Sequence, residues 1–279
     1  MKVAVITGAA SGIGLALSLI NLQQGTTVVM VDKDRSKLND EAAQLIQQFP
    51  NQVVHFTCDI TQINEVNDLA QLIHQQLGRV DYIYNNAGIM GTLAPLWELT
   101  PEQISPVIEV NVYGMLHMIR AFMPLLSKQN FRSHIINMAS LYALCSGSQM
   151  ASYAMSKHAV LALSESLYFD LQRQEKPVDV SVVFPSFTDT ALLANKPAEN
   201  ASAFYHSLNS LLAHSRPALD VAEHIIREVG QKRFYILPDK EVKGYSEERI
   251  KAIIQQENPH INNIEKLLGS LLKRAKTAV

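Results

Sequence analysis

Apolar residues along the chain follow two rhythms. Short unbroken runs rich in Val and Ile recur at Val3–Ile6, Thr27–Val31, Val53–Thr57, Tyr82–Tyr84, His134–Met138, Val178–Phe184 and Phe234–Leu237. Between them lie longer segments in which apolar and polar positions alternate with a helical period: Ile13–Gln24, Ser36–Gln48, Ile63–Leu77, Pro101–Leu126, Ser152–Gln174 and Leu219–Gly230. The first rhythm predicts strands and the second amphipathic helices. Strands separated by helices read as βαβ units, and strands apolar along their whole length are covered on both faces. The pattern therefore predicts an α/β fold, a doubly wound parallel sheet of about seven strands with helices on both faces.

Two stretches break the rhythm. Residues 185–218 are irregular, hold many Ala, Ser and Asn, and follow a strand end, where α/β proteins place ligand loops. Residues 240–279 are expected to form a polar helical extension to a main unit spanning residues 1–239. In that extension Ile264, Leu267, Leu268, Leu271 and Leu272 share one helical face, ringed by Lys266, Lys273, Arg274 and Lys276. Packing on the body or on another subunit is expected ahead of a membrane-surface helix.

Composition narrows the function classes. At 47% hydrophobic and 18% charged residues, the 279-residue chain is neither disordered nor a coiled coil. Its net charge of −2 offers no basic excess for a phosphate backbone, so no nucleic-acid partner is expected. Two cysteines, Cys58 and Cys145, form no disulfide framework, and no Cys/His spacing suggests a metal. The first strand starts at once and no apolar run approaches membrane length, so a cytoplasmic protein without a membrane span is expected.

Candidate chemistry begins at the end of the first strand, in Thr7-Gly8-Ala9-Ala10-Ser11-Gly12-Ile13-Gly14. Glycines permit a tight turn and close backbone approach, and the N-terminus of the following helix suits a pyrophosphate. The spacing, T-G-x-x-x-G-x-G, differs from G-x-G-x-x-G and from the phosphate loop of nucleotide hydrolases. A dinucleotide site also needs an acid at the end of the second strand, and Asp32 stands there. A carboxylate at that point accepts from the ribose hydroxyls of NAD and repels the 2′-phosphate of NADP; an acid at a helix start is the other reading. Lys33 and Arg35 pull towards NADP. Asp59, next to Ile60 after the third strand, has two open roles, meeting the adenine or capping the next helix.

Four further features follow in order: Asn85-Asn86-Ala87-Gly88 after the fourth strand, Asn111, Ser140 after the fifth strand, and Tyr153-Ala154-Met155-Ser156-Lys157. Tyr153 and Lys157 are four apart and share a helix face. A nearby ammonium favours the phenolate, so Lys157 is expected to lower the Tyr153 pKa and fit the phenol for proton exchange with an alcohol or ketone. The Ser140 hydroxyl suits orientation of the substrate oxygen. With the glycine turn, this series resembles the short-chain dehydrogenase/reductase family of the single-domain Rossmann type, over about residues 2–237.

The resemblance implies an NAD(P)-dependent oxidoreductase, with NAD ahead of NADP. Its catalytic residues would be Asn111, Ser140, Tyr153 and Lys157, with Asn111 positioning a relay water and Lys157 also holding the nicotinamide ribose. Cofactor contacts would come from Gly8, Ser11, Gly12, Ile13, Gly14, Asp32, Asp59, Ile60, Asn86, Ala87, Gly88, Pro185, Thr188 and Thr190. It also implies a homodimer or homotetramer. One departure stands out: Ser186 replaces the glycine of the family's P-G-x-x-x-T, so a positive φ there would be strained.

The substrate wall is expected from Leu141, Tyr142, Cys145, Met150, Phe187 and Leu192, which suggests an apolar alcohol or ketone. Two other readings stay open: an NADPH-dependent biosynthetic ketoreductase, and a dinucleotide-binding sensor without turnover.

Overall fold

The computed structural model describes residues 1–189, 205, 208, 209, 212, 215–263, 265–267, 269 and 270. Its main sheet has seven parallel strands in the order β3-β2-β1-β4-β5-β6-β9. These are β1 (Val3–Thr7), β2 (Thr27–Asp32), β3 (Val53–Thr57), β4 (Tyr82–Asn85), β5 (Ser133–Met138), β6 (Val178–Val183) and β9 (Tyr235–Ile236). A separate parallel pair joins β7 (Thr188–Asp189) to β8 (Arg216–Pro217), with Thr188 opposite Arg216.

Alternate residues of each strand feed opposite cores, as the pleat requires. Ala4 and Ile6 of β1 join Leu17 and Ile20 of α1 (Gly12–Gln23), Leu38 of α2 (Arg35–Gln48) and Val221 and Ile225 of α7 (Ala218–Gly230). Val3 and Val5 face the other side. There they join Val66 and Ile73 of α3 (Ile63–Leu77), Met118 and Phe122 of α5 (Met115–Leu126) and Val160 of α6 (Ala151–Arg173). The two cores make the expected doubly wound sheet. Among the described residues no helix is long and apolar enough to cross a membrane.

The segment expected as one helix over Pro101–Leu126 is divided. α4 (Pro101–Ile108) passes into a single wide π-type turn, Glu109–Gly114, before α5 begins. Pro106 lacks the N–H that a regular helix uses and crowds the preceding turn, which accounts for an early loss of register. The widened turn carries Asn111. After β9, α8 (Lys240–Gln255) forms the first part of the C-terminal extension. Of its five-residue apolar face, only Leu267 lies within the described residues.

Strand order reverses between β1 and β4, and doubly wound sheets bind ligands at the carboxyl ends of strands at such a point. The turns after β1 and β4 meet there. The Thr7 hydroxyl donates to the Tyr84 carbonyl (3.3 Å) and accepts from the Asn86 and Ala87 amides (3.0 and 3.1 Å). The Asn86 side-chain amide donates back to the Thr7 carbonyl at 2.9 Å.

Candidate active site

A cavity of about 320 Å³ opens over this switch point, within the size range of small-ligand sites. Gly8, Ser11, Gly12 and Ile13 form its floor, with Asp32, Asp59 and Ile60 at one end. Asn86, Ala87 and Gly88 lie in the middle, and Ser140, Tyr153, Lys157, Pro185 and Thr188 at the other end.

Gly8 has φ +64°, and a Cβ there would sit 3.0 Å from the Ala87 Cα. The turn thus needs glycine both for its backbone and for the contact between the two loops. Gly14 does not line the cavity. A Cβ there would lie 2.1 Å from the Gly8 carbonyl oxygen, so Gly14 supports the turn from beneath instead of meeting a ligand. Asp32 accepts from the Ala10 amide (3.1 Å) and the Asp34 amide (3.0 Å), which fixes its carboxylate at the cavity rim. Asp59 accepts from the Thr61 amide and hydroxyl (3.0 and 2.8 Å), a turn that leads into α3, while still facing the cavity.

At the other end, Tyr153 and Lys157 project from the same face of α6. The Lys157 ammonium donates to the Met138 carbonyl at 2.9 Å and lies 5.5 Å from the centre of the Tyr153 ring. The expected lowering of the Tyr153 pKa is not what burial produces here. Desolvation pushes the phenol up to about 12, with hydrogen bonding to Ser140 pulling the other way. Burial also lowers Lys157 to about 8, so its own positive charge is weakened close to neutral pH. The Ser140 hydroxyl accepts from the Tyr142 amide (3.3 Å).

Three expected site residues sit behind the wall. The Asn111 side chain accepts from the Ile89 amide (2.8 Å) and donates to the Ile89 carbonyl and the Ser156 hydroxyl (both 2.9 Å). It pins the Asn-Ala-Gly turn to α6 and does not line the cavity. Cys145 is buried, its thiol donating to the Leu141 carbonyl at 3.5 Å, and burial raises its pKa to about 11. Met150 is buried just before α6 and also misses the cavity. Leu141, Tyr142 and Phe187 do line it, joined by Ile89, Met90 and Leu212. Thr190 and Leu192 lie outside the described residues.

The strain expected at Ser186 is absent, because Ser186 is not among the residues with positive φ. Its amide instead donates to Asp239, at 2.9 Å. Sequence reasoning missed this contact, together with Lys37 at the rim beside Asp32. The first joins residues 53 apart and left no local signal. The second lies in the first turn of α2, in a position that reads as an ordinary solvated lysine.

The model of short-chain dehydrogenases matches residues 2–201 of the chain. The protein belongs to the short-chain dehydrogenase/reductase family. Short-chain dehydrogenase/reductases are oxidoreductases that act on CH–OH groups with NAD(P), and this chain is such an enzyme. It is similar to 1-deoxy-11-beta-hydroxypentalenate dehydrogenase of Streptomyces exfoliatus, with 37% identity over 87% of this chain and 84% of that protein. Among solved structures, a short-chain dehydrogenase/reductase from Burkholderia phymatum in complex with NAD has 31% identity and a TM-score of 0.88. That likeness covers 93% of this chain and 96% of the other. An alcohol dehydrogenase from Thermococcus sibiricus, complexed with 5-hydroxy-NADP, shares the fold at 23% identity and a TM-score of 0.72. It covers 85% of this chain and 95% of the other.

Proposed function

We propose that this protein is an NAD-dependent alcohol dehydrogenase or carbonyl reductase for apolar substrates, with Tyr153 as general acid/base. The observation that carries the reading is the single cavity shared by the glycine turn, Asp32, Ser140, Tyr153 and Lys157. The cavity fits a dinucleotide by its floor: a turn in which Gly8 and Gly12, both at positive φ, place no side chain, and a helix N-terminus beneath it. The Asp32 carboxylate would accept from the adenosine ribose, and Lys157 would donate to the nicotinamide ribose. When bound, nicotinamide supplies the hydride acceptor or donor, and its oxidised form brings a positive charge to that end of the cavity.

The chain's own groups handle the proton. Tyr153 takes it from the substrate hydroxyl during oxidation and returns it to the carbonyl oxygen during reduction. Ser140 orients that oxygen and stabilises its developing charge. A buried phenol near 12 is a poor base at neutral pH, so positive charge arriving beside it favours the phenolate only when cofactor is in place. Leu141, Tyr142, Phe187, Ile89 and Met90 supply the apolar wall. The Streptomyces relative, named as the dehydrogenase of a hydroxyl-bearing compound, agrees in reaction class. Lys33 and Lys37 at the rim favour a second reading in which NADPH is the cofactor.

The test has two arms. In the first, the protein is melted with NADH or NADPH. A ligand at about 100 times its Kd adds about 2.7 kcal/mol, and the larger rise is expected with NADH. A larger rise with NADPH favours the second reading. In the second arm, oxidation of cyclohexanol and borneol is followed by nicotinamide absorbance. Tyr153→Phe is expected to cut turnover about 10²–10⁴-fold while leaving the NADH Kd unchanged. Full activity in Tyr153→Phe overturns the mechanism.

A further inference from the structure

The wall segment Pro185–Asp189 is held from three distant parts of the chain. The Pro185 carbonyl accepts from the Leu141 amide at 2.9 Å. The Ser186 amide donates to Asp239 Oδ2 at 2.9 Å. Thr188 and Asp189 pair in parallel with Arg216 and Pro217. The second and third ties are one unit. Arg216 Nη1 donates to Asp239 Oδ1 (3.0 Å) and to the Pro238 carbonyl (2.8 Å), and its Nη2 donates to the Asp220 carbonyl (3.1 Å).

Asp239 is buried, with 7% of its surface exposed, and both of its oxygens are engaged. It does not line the cavity, and neither does Arg216. Their influence therefore passes through the backbone of Ser186 and Thr188, both of which do. Charge-assisted hydrogen bonds of this kind are about twice as strong as neutral ones and fix geometry as well as energy.

The direction of that influence follows from the sheet order. Asp32 ends β2 and Asp59 follows β3, and Ser140, Ser186 and Thr188 follow β5 and β6 on the other side of the switch point. A dinucleotide with its adenosine at Asp32 has its reactive end against Pro185–Thr188. We infer that Arg216 and Asp239 are positioning residues that hold the Pro185–Thr188 wall for the nicotinamide half of the cofactor and leave the adenosine half untouched. The inference rests on the dinucleotide reading above.

The experiment compares two ligands that differ by the nicotinamide ring, NADH and ADP-ribose, by calorimetric titration. Asp239→Ala is expected to weaken NADH about tenfold and to leave ADP-ribose within about twofold. Asp239→Asn retains an acceptor for the Ser186 amide and is expected to recover part of the NADH loss. A merely structural role would lower the melting temperature and move both ligands together. Should Asp239→Ala fail to fold, Asp239→Asn and Arg216→Met carry the same ratio test. Equal losses for both ligands, or no loss for either, overturn the inference. Wild-type protein that binds neither ligand overturns the dinucleotide reading itself, and this inference with it. Wild-type binding of both with an unchanged ratio in the variants overturns this inference alone.

Discussion

At the β1–β4 end of the cavity two turns that both line it bind each other directly, whereas the β6 wall is tied to Asp239 and Arg216, which do not line it. The glycine turn, Thr7 and Asn86 bind one another through short backbone and side-chain hydrogen bonds, with Gly8 and Gly14 removing the atoms that would part them. The Pro185–Asp189 wall has one internal side-chain tie, the Thr188 hydroxyl donating to the Ser186 carbonyl at 3.2 Å. It leans on Leu141, on Asp239 and on Arg216, the last two joined across 23 residues. The contrast teaches that one cavity can have a sterically constrained half, built where a Cβ has no room, and an adjustable half, built from a few replaceable ties.

The largest expected effect comes from acid, acting on a buried histidine that ties β5 and β6 to the chain entering β9. His134 on β5 is 2.7 Å from the Ser181 hydroxyl, and that hydroxyl donates to the Arg233 carbonyl at 2.6 Å. The hydroxyl has one proton, so His134 Nε2 is the donor in its own contact. Arg233 leads into β9 and on to Asp239. Burial lowers the His134 pKa from 6.5 to about 4, outweighing the nearby Asp179, while Lys232 acts in the same direction as burial. The folded state therefore binds fewer protons than the unfolded chain between these values. Stability is full above pH 6.5 and falls as the pH drops towards 4, by about 3 kcal/mol from this group. Urea unfolding at pH 7 and pH 4 should show that excess loss in wild type and not in His134→Gln. Equal losses in both proteins would remove His134 as the cause.

A smaller change should break the fixed half. In Gly14→Ala the added methyl meets the Gly8 carbonyl, and overpacking of this kind costs about 1–3 kcal/mol. Because the clash displaces the turn itself, ADP-ribose and NADH should both bind at least about tenfold more weakly. Unchanged ADP-ribose affinity would mean that the turn yields without harm.

The smallest effect is expected where the C-terminal extension meets the loop after Ser140. Glu265 accepts from the Ser148 amide (2.8 Å) and hydroxyl (2.9 Å), both exposed. A Cβ on Gly147 would lie 3.1 Å from the same carboxylate and 3.2 Å from the Tyr142 ring. Exposed contacts of this type contribute up to about 1 kcal/mol, so Glu265→Ala should speed hydrogen exchange at Ser148 no more than about fivefold. NADH affinity should not move. A loss of NADH affinity would show that the extension reaches the cofactor site.

The same division governs what the sequence reveals. The glycine turn, Ser140, Tyr153 and Lys157 could be read directly, because each depends on spacing within one strand, turn or helix. The inner strands were legible for the same reason, since burial on both faces leaves uninterrupted apolar runs, and the half-buried edge strands β3 and β9 are apolar enough to follow the same rhythm. The π-type turn was not, because its cause is local crowding around Pro106 that preserves the apolar period. Nor did spacing reveal that Asn111, Cys145 and Met150 stand one layer behind the cavity. That is decided by how tightly the Ile89 backbone and the Leu141 turn close over them. The Ser186 substitution looked costly because the sequence shows the missing glycine but not Asp239, which comes 53 residues later and holds the amide in an ordinary conformation.

The pairing of β1 with β4 has a consequence for how the protein comes into being. Ala4 lies beside Tyr82, and the Thr7–Asn86 contacts span 79 residues. Closing so long a loop costs chain entropy before any of these contacts can repay it. During synthesis, the glycine turn leaves the ribosome long before Asn86 and Ala87, which form the opposite side of the same site. A nascent chain that ends before β4 can hold the first two strands together and still have nothing that grips a dinucleotide. Cofactor binding is therefore a property of the assembled switch point, and it arrives late, when the middle of the chain has found its place in the sheet.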